Sequence, residues 1–151
     1  MTSKAASTDA GHYLTRLTHD PEVSEGPVAV VGYCVGAWFA LLATGSHPEH
    51  VAAAAGFHGG SLATDAPDSP RLLADRITAE MYFAHADQDP SMPPEQIQGL
   101  GDALTAAGVR HTCEVYQGAH HGFTQAGTSA YNAEADEQHW SKLLELLDRA
   151  F

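Results

Sequence analysis

Apolar positions along the chain fall into two alternating kinds of run: short continuous ones rich in Val, Ala and aromatic residues, and longer ones spaced three and four apart. Continuous runs of strand length suit a parallel sheet covered on both faces, whereas spacing near 3.6 marks a helix that packs on one side. The first kind comprises "PVAVVG" from Pro27, "VAAAAGFHG" from Val51, "AEMYFAHAD" from Ala79 and "RHTCEVYQ" from Arg110. By composition "VAAAAGFHG" would also suit a helix; its length and the glycines after it decide for a strand. Helices are predicted over 12–20, 36–47, 93–108 and 133–151, the third with proline at its start and glycine at its end. Residues 1–10 carry no such pattern and are expected to be poorly ordered, and the stretch before Ala79 reads as loop with one helical turn at 70–75. The prediction is an α/β fold in a single domain over residues 1–151, with about four parallel strands each followed by a helix. In such a sheet, ligands bind at the carboxyl ends of the strands.

Composition narrows the function classes. A chain of 151 residues, 44% hydrophobic and 17% charged, is long enough to bury one real core and has no apolar run of membrane-spanning length. Nineteen acidic residues against seven basic ones give a net charge of -12. Without clustered Lys and Arg, neither nucleic acid nor an anionic membrane is expected as a partner. The first residues lack the apolar core of a secretory signal, so a cytoplasmic location is the default expectation, with Cys34 and Cys113 as free thiols.

One of those thiols stands at a special place. Gly32-Tyr33-Cys34-Val35-Gly36 lies between a predicted strand and a predicted helix, and fits the Gly-x-nucleophile-x-Gly elbow of α/β-hydrolases with cysteine in place of serine. An elbow holds its nucleophile in a strained conformation, and side chains at both glycine positions are expected to collide with strand and helix. At a helix N-terminus the dipole favours a thiolate, and the backbone N–H of Val35 is the expected oxyanion donor. A lone cysteine in a glycine-rich turn is also, more plainly, a small buried hydrophobe.

Chain order tips the balance, because an elbow predicts an acid and then a histidine on later loops. Asp89 lies in "HADQDPSMPPE" after the third strand and His121 in "GAHHGF" after the fourth. The roles would be Cys34 as nucleophile, His121 as base and then acid, and Asp89 to orient the imidazole. Asp87 competes with Asp89, which is preferred because the loop must leave the strand before an acid can reach the histidine. His120, adjacent to His121, is expected to face elsewhere. Tyr33, His58 and Phe123 are candidate substrate-pocket residues, whereas Trp38 is assigned to the core. Arg71 and Arg76 are anion-binding candidates, with solvated surface charge as their plainer use. Ten histidines invite a metal, yet there is no HExxH and "HPEH" lacks a third ligand, so neither metal nor other cofactor is expected. A redox-thiol role lacks a C-x-x-C pair.

Through "GYCVG", "ADQDPSMPPE" and "YQGAHHGF" the sequence resembles the dienelactone hydrolases, carboxymethylenebutenolidase-like α/β-hydrolases, from about Pro27 onward. The resemblance implies a Cys-Asp-His triad at Cys34, Asp89 and His121 that hydrolyses a small-molecule lactone or ester through an acyl-thioester. Two departures stand out. An arginine that binds the substrate carboxylate follows the histidine motif in the dienelactone hydrolase itself, and Gln125 occupies about that position here. The family fold also has strands before the elbow strand, which supply a second oxyanion N–H and a glutamate beside the cysteine; 26 residues precede Pro27 here, and neither group can be assigned. "FHGGS" at 57–61 resembles a lipase oxyanion motif but follows the nucleophile, so it is read as a loop lining the site. The alternative to an active hydrolase is an impaired or inert half-domain or partner subunit that retains the motifs. With no upstream neighbour, "PVAVVG" would be an open sheet edge, a route to self-association.

Overall fold

The computed structural model describes residues 2–151. Four strands, β1 (Val28–Tyr33), β2 (Val51–Phe57), β3 (Glu80–Gln88) and β4 (His111–His120), pair in parallel in the order β1-β2-β3-β4. The helices are α1 (Ser3–Thr18), α2 (Val35–Ser46), α3 (Pro94–Ala106) and α4 (Ala133–Ala150). The α/β architecture and all four strands therefore stand as the apolar pattern predicts.

The expectation for the N-terminus is corrected. Residues Ser3–Ala10 are not loose but form the first turns of α1, because Thr2 caps the helix by accepting a hydrogen bond from the Ala5 N–H at 3.3 Å and Ala6 is buried. After β2 the helical turn expected at 70–75 is a short 3-10 helix, Pro70–Arg76.

Strand parity divides the interior into two layers. Ala54, Met81 and Phe83 face α2 and α3, packing with Ala37, Leu41, Leu100 and Leu104. Ala53, Ala55, Phe57, Tyr82 and Ala84 face the other way, onto Ala135, Leu143 and Leu146 of α4. The alanines of β2 are what let helices approach both faces closely. Glu80 is buried at the start of β3 and joins Arg110 at 2.7 Å and Arg149 at 2.9 Å, tying the end of α4 to the amino edge of the sheet. The carboxyl edge is left to the loops that follow the strands.

β1 passes into α2 through a single residue, Cys34. A Cβ on Gly32 would overlap the backbone carbonyl of Gly36, whereas nothing lies within 4 Å of where a Cβ on Gly36 would sit. The expectation that both glycines are sterically required is thus corrected: only Gly32 is, because the helix turns back over it while Gly36 faces open space. Gly32→Ala is expected to cost about 3 kcal/mol or abolish folding. Gly36→Ala, at a helical position, should change stability by no more than about 1 kcal/mol. Urea unfolding midpoints of the two variants check the contrast, and equal losses would contradict it.

Candidate active site

Because the helix backbone crosses so close to β1, the connecting residue cannot adopt ordinary geometry. Cys34 has φ 56° and ψ -124°, a sparsely populated conformation that costs a non-glycine residue about 1–3 kcal/mol. The sheet and helix hold it there: the Cys34 N–H donates to the Phe57 carbonyl at 3.1 Å, and the Cys34 carbonyl accepts from the Ala37 N–H at 3.1 Å. The thiol is thereby raised above the carboxyl edge of the sheet. Val35 follows as the first residue of α2, so its N–H has no intrahelical acceptor.

Loops after β3 and β4 bring the other two groups to the same point. His121 Nε2 lies 2.9 Å from Cys34 Sγ, and His121 Nδ1 lies 2.6 Å from Asp89 Oδ2. An ionised carboxylate only accepts, so Nδ1 carries the proton and Nε2 is left to exchange one with sulfur. Asp89 is fixed from its other oxygen, which accepts from the Ser91 N–H at 2.9 Å and the Ser91 hydroxyl at 2.6 Å. Its burial opposes ionisation, but the Ser91 hydroxyl, His121 and the Ser91 N–H outweigh that and hold the carboxyl below its usual range. Burial likewise pulls His121 down, yet the hydrogen bonds to Asp89 and Cys34, with the charges they carry, leave the imidazole above its ordinary value. The assembly is a thiol and a carboxylate joined through one imidazole, an arrangement able to pass a proton at sulfur while keeping the ring's tautomer fixed.

Asp87 does not reach His121; it lines a separate cavity between α3 and the sheet, and His120 is exposed. A cavity of about 490 Å³ opens at the thiol, lined by Cys34, Val35, Trp38, Phe39, Gly60, Ser61 and His121. Tyr33, His58 and Phe123, the sequence candidates for its walls, lie behind it. Tyr33 is the last residue of β1 and faces α4, where its hydroxyl meets His139 Nε2 at 2.8 Å. Phe123 is fully buried against Tyr116 and His58. His58 is also fully buried, with Nε2 on the Thr124 hydroxyl at 2.9 Å and its ring edge-on to His121 at 5.4 Å. Burial first, and the neighbouring His121 second, push His58 down to about 4, so it stays neutral beside the thiol–imidazole pair.

Trp38, expected in the core, packs against it with one part and lines the cavity with another. Phe39 was not singled out by the sequence reading, although Cys34, Val35, Trp38 and Phe39 fall at i, i+1, i+4 and i+5 and so share a helix face. Gly60 and Ser61 belong to the "FHGGS" loop and do line the site. Ser91 was also missed; the Asp-Pro-Ser sequence is an Asx-turn signal that could have found it. Arg71 pairs with Asp65, and Arg76 reaches the Ser46 carbonyl, both away from the cavity. Among the described residues, no group of three or more His, Cys, Asp or Glu is placed to hold a metal ion, and no helix is long and apolar enough to cross a membrane.

A parallel α/β sheet with these groups at its carboxyl edge is the framework of the dienelactone hydrolases. The chain belongs to the dienelactone hydrolase family, whose description matches residues 1–151. It is 33% identical over 129 residues to a Synechocystis sp. protein provisionally named carboxymethylenebutenolidase, covering 83% of this chain and 52% of that protein. It is 28% identical over 123 residues to the carboxymethylenebutenolidase of Rhodococcus opacus, covering 80% and 49% respectively. Among solved structures it is similar to a dienelactone hydrolase-like promiscuous phosphotriesterase from metagenomic libraries, with TM-score 0.82, 27% identity, and 97% of this chain and 62% of that one covered. The chain spans about half the length of the curated relatives it matches.

The hydrogen bond that His121 donates to Asp89 raises the proton affinity of the ring, so removing the carboxylate charge has a defined sign. His121 in the intact protein is expected to stay protonated to higher pH than a free imidazole, and Asp89→Asn should move its midpoint downward. NMR titration of the His121 ring protons checks this; a midpoint indifferent to Asp89→Asn would contradict the pairing.

Proposed function

We propose that this chain hydrolyses a carboxylic ester or lactone through Cys34, His121 and Asp89, by way of an acyl-thioester. The observation that carries this reading is the continuous line from Sγ through both imidazole nitrogens to the buried Asp89 carboxylate, at 2.9 and 2.6 Å. The family and the curated relatives support hydrolysis of lactones or esters as the reaction class.

Each step follows from a group already placed. His121 Nε2 takes the Cys34 proton, and the thiolate attacks the substrate carbonyl. The developing oxyanion is met by the Val35 N–H at the head of α2. Collapse of the tetrahedral adduct breaks the bond to the leaving alkoxide, which receives the proton from His121, and leaves the acyl group on sulfur. Water then gives a proton to His121 and attacks the thioester; the thiolate departs, regains that proton and frees the carboxylic acid. Asp89 remains ionised throughout, holding the ring and matching its transient charge.

Intact-mass measurement after brief exposure to p-nitrophenyl acetate tests the scheme. A transient acetyl adduct on Cys34 is expected, absent in Cys34→Ala and formed about 100- to 10,000-fold more slowly in His121→Ala. Labelling that ignores His121, or no labelling of a folded protein, would instead support the inert half-domain reading.

A further inference from the structure

The imidazole of His121 serves the site only while it meets Asp89 and Cys34 together, so whatever holds its loop governs that line. We infer that His58 is a positioning residue for His121: from a fixed place at the end of β2 it clamps the loop after β4 through Thr124, and so keeps the ring in register with both partners. The kinetic consequence rests on the hydrolase reading of the same site, whereas the clamp itself is testable without turnover.

His58 is the fixed half of the clamp. It directly follows the last residue of β2, its N–H donates to the Ala84 carbonyl of β3 at 2.9 Å, and its side chain is fully buried. Its φ of 40° lies in the left-handed region, where glycine would sit without strain. A large side chain kept in that conformation points to a use for the side chain. Three of its ring contacts fall on one short stretch of the loop after β4. Nε2 meets the Thr124 hydroxyl at 2.9 Å, and the ring stands edge-on to Phe123 at 5.0 Å and to His121 at 5.4 Å.

The held half is the turn that carries the imidazole. Gly122, with φ 87°, is the pivot between His121 and Phe123, so the anchoring of residues 123 and 124 fixes the direction from which the His121 ring enters the site. That ring must span 2.6 Å to Asp89 and 2.9 Å to Cys34. Because it is rigid, a displacement that keeps one contact disturbs the other, and a misplacement of about 1 Å can cost about 100-fold in rate. One hydrogen bond at Thr124 therefore has leverage on turnover that its own energy does not measure. Burial, and after it the charge of His121, hold His58 neutral, so the clamp sets no like charge against the imidazolium.

Three variants test the clamp. Thr124→Val keeps the side-chain shape and deletes the hydroxyl, Thr124→Ser keeps the hydroxyl, and His58→Phe combined with Thr124→Val replaces both polar partners by apolar ones. Each is read by the NMR titration midpoint of the His121 ring, which needs no turnover, and by kcat and KM for p-nitrophenyl acetate. In Thr124→Val the midpoint should fall toward that of a free imidazole, because a displaced ring loses the contacts with Asp89 and Cys34 that raise it. In the same variant kcat should fall about 10- to 100-fold with KM within about twofold. Thr124→Ser should restore both. The double variant removes the buried partner that Thr124→Val strands, so its urea midpoint should recover while kcat and the His121 midpoint stay low. Should Thr124→Val not fold, the double variant carries the same two readouts. An unmoved His121 midpoint in the variants that lack the hydroxyl would overturn the inference, and so would activity that recovers along with stability in the double variant. Ester hydrolysis with an unmoved midpoint would remove the clamp and leave the thiol hydrolase in place. A midpoint that falls as expected, with no ester hydrolysed even by the unaltered chain, would uphold the clamp while removing the proposed activity.

Discussion

The close approach of the α2 backbone to β1 at Gly32 is the constraint on which the site depends. A strand that passes into a helix through one residue has no room for a relaxed turn, so the strain falls on Cys34. The ends of that residue are clamped by the last β1–β2 ladder bond, from the Cys34 N–H to Phe57, and by the first turn of α2. Behind the clamp, Gly56 lies so close to the Phe83 ring and to Ala37 that a Cβ there would come within 2.7 Å and 3.0 Å of them. A few kilocalories of backbone strain are therefore balanced by packing well away from the sulfur, and the thiol projects into the cavity without choosing among rotamers of a flexible loop.

The other half of the site is held by polar contacts. Asp89 is nearly removed from solvent, with 3% of its side chain exposed, whereas His121 keeps 36% exposed. The gradient runs from a dry carboxylate to a partly exposed imidazole, so electrostatic interactions strengthen toward the acid end of the line. Ser91 joins this end to the cavity, because its hydroxyl and N–H hold Asp89 while its carbonyl accepts from the Ser61 N–H at 2.8 Å. The loop after β3 thus anchors the loop after β2. One short segment sets both the acid and one wall of the pocket.

Much of this was legible in the sequence, and the limits have physical causes. Four apolar runs flanked by turn residues mark the strands, and the chain order of an elbow thiol, an acid and a histidine picks out Cys34, Asp89 and His121, which the structure brings into contact, with Asp89 favoured over Asp87 because the loop must leave the strand first. Pocket membership was not legible, because it depends on which face each parity class turns toward. Tyr33 shares parity with Ala29, and both sit on the α4 side, where His139 supplies a partner that lies 106 residues away in the chain. No local pattern shows that pairing. Conversely, Trp38 and Phe39 sit in a helix that is apolar almost all round, so hydrophobicity alone cannot separate core from cavity. The first turns of α1, ahead of the predicted helix at 12–20, were missed because they are held by a Thr2 cap and a single buried residue, Ala6, a weak periodic signal.

The buried histidines show how the fold limits where charge can appear. His58 touches the ring of His121, and His85 lies under the same sheet edge; both are driven down to about 4 by burial, with the His121 charge adding to the effect at His58. If either were protonated near neutrality, its charge would oppose the imidazolium that the proposed reaction forms on His121. Burial removes that competition without removing the rings, whose edges and faces fill space against Phe123 and Phe83. Only His121 couples to a carboxylate and a thiol together, and only its proton affinity is raised among these three. The positive charge that forms during the proposed reaction is therefore confined to the one ring that bridges acid and nucleophile.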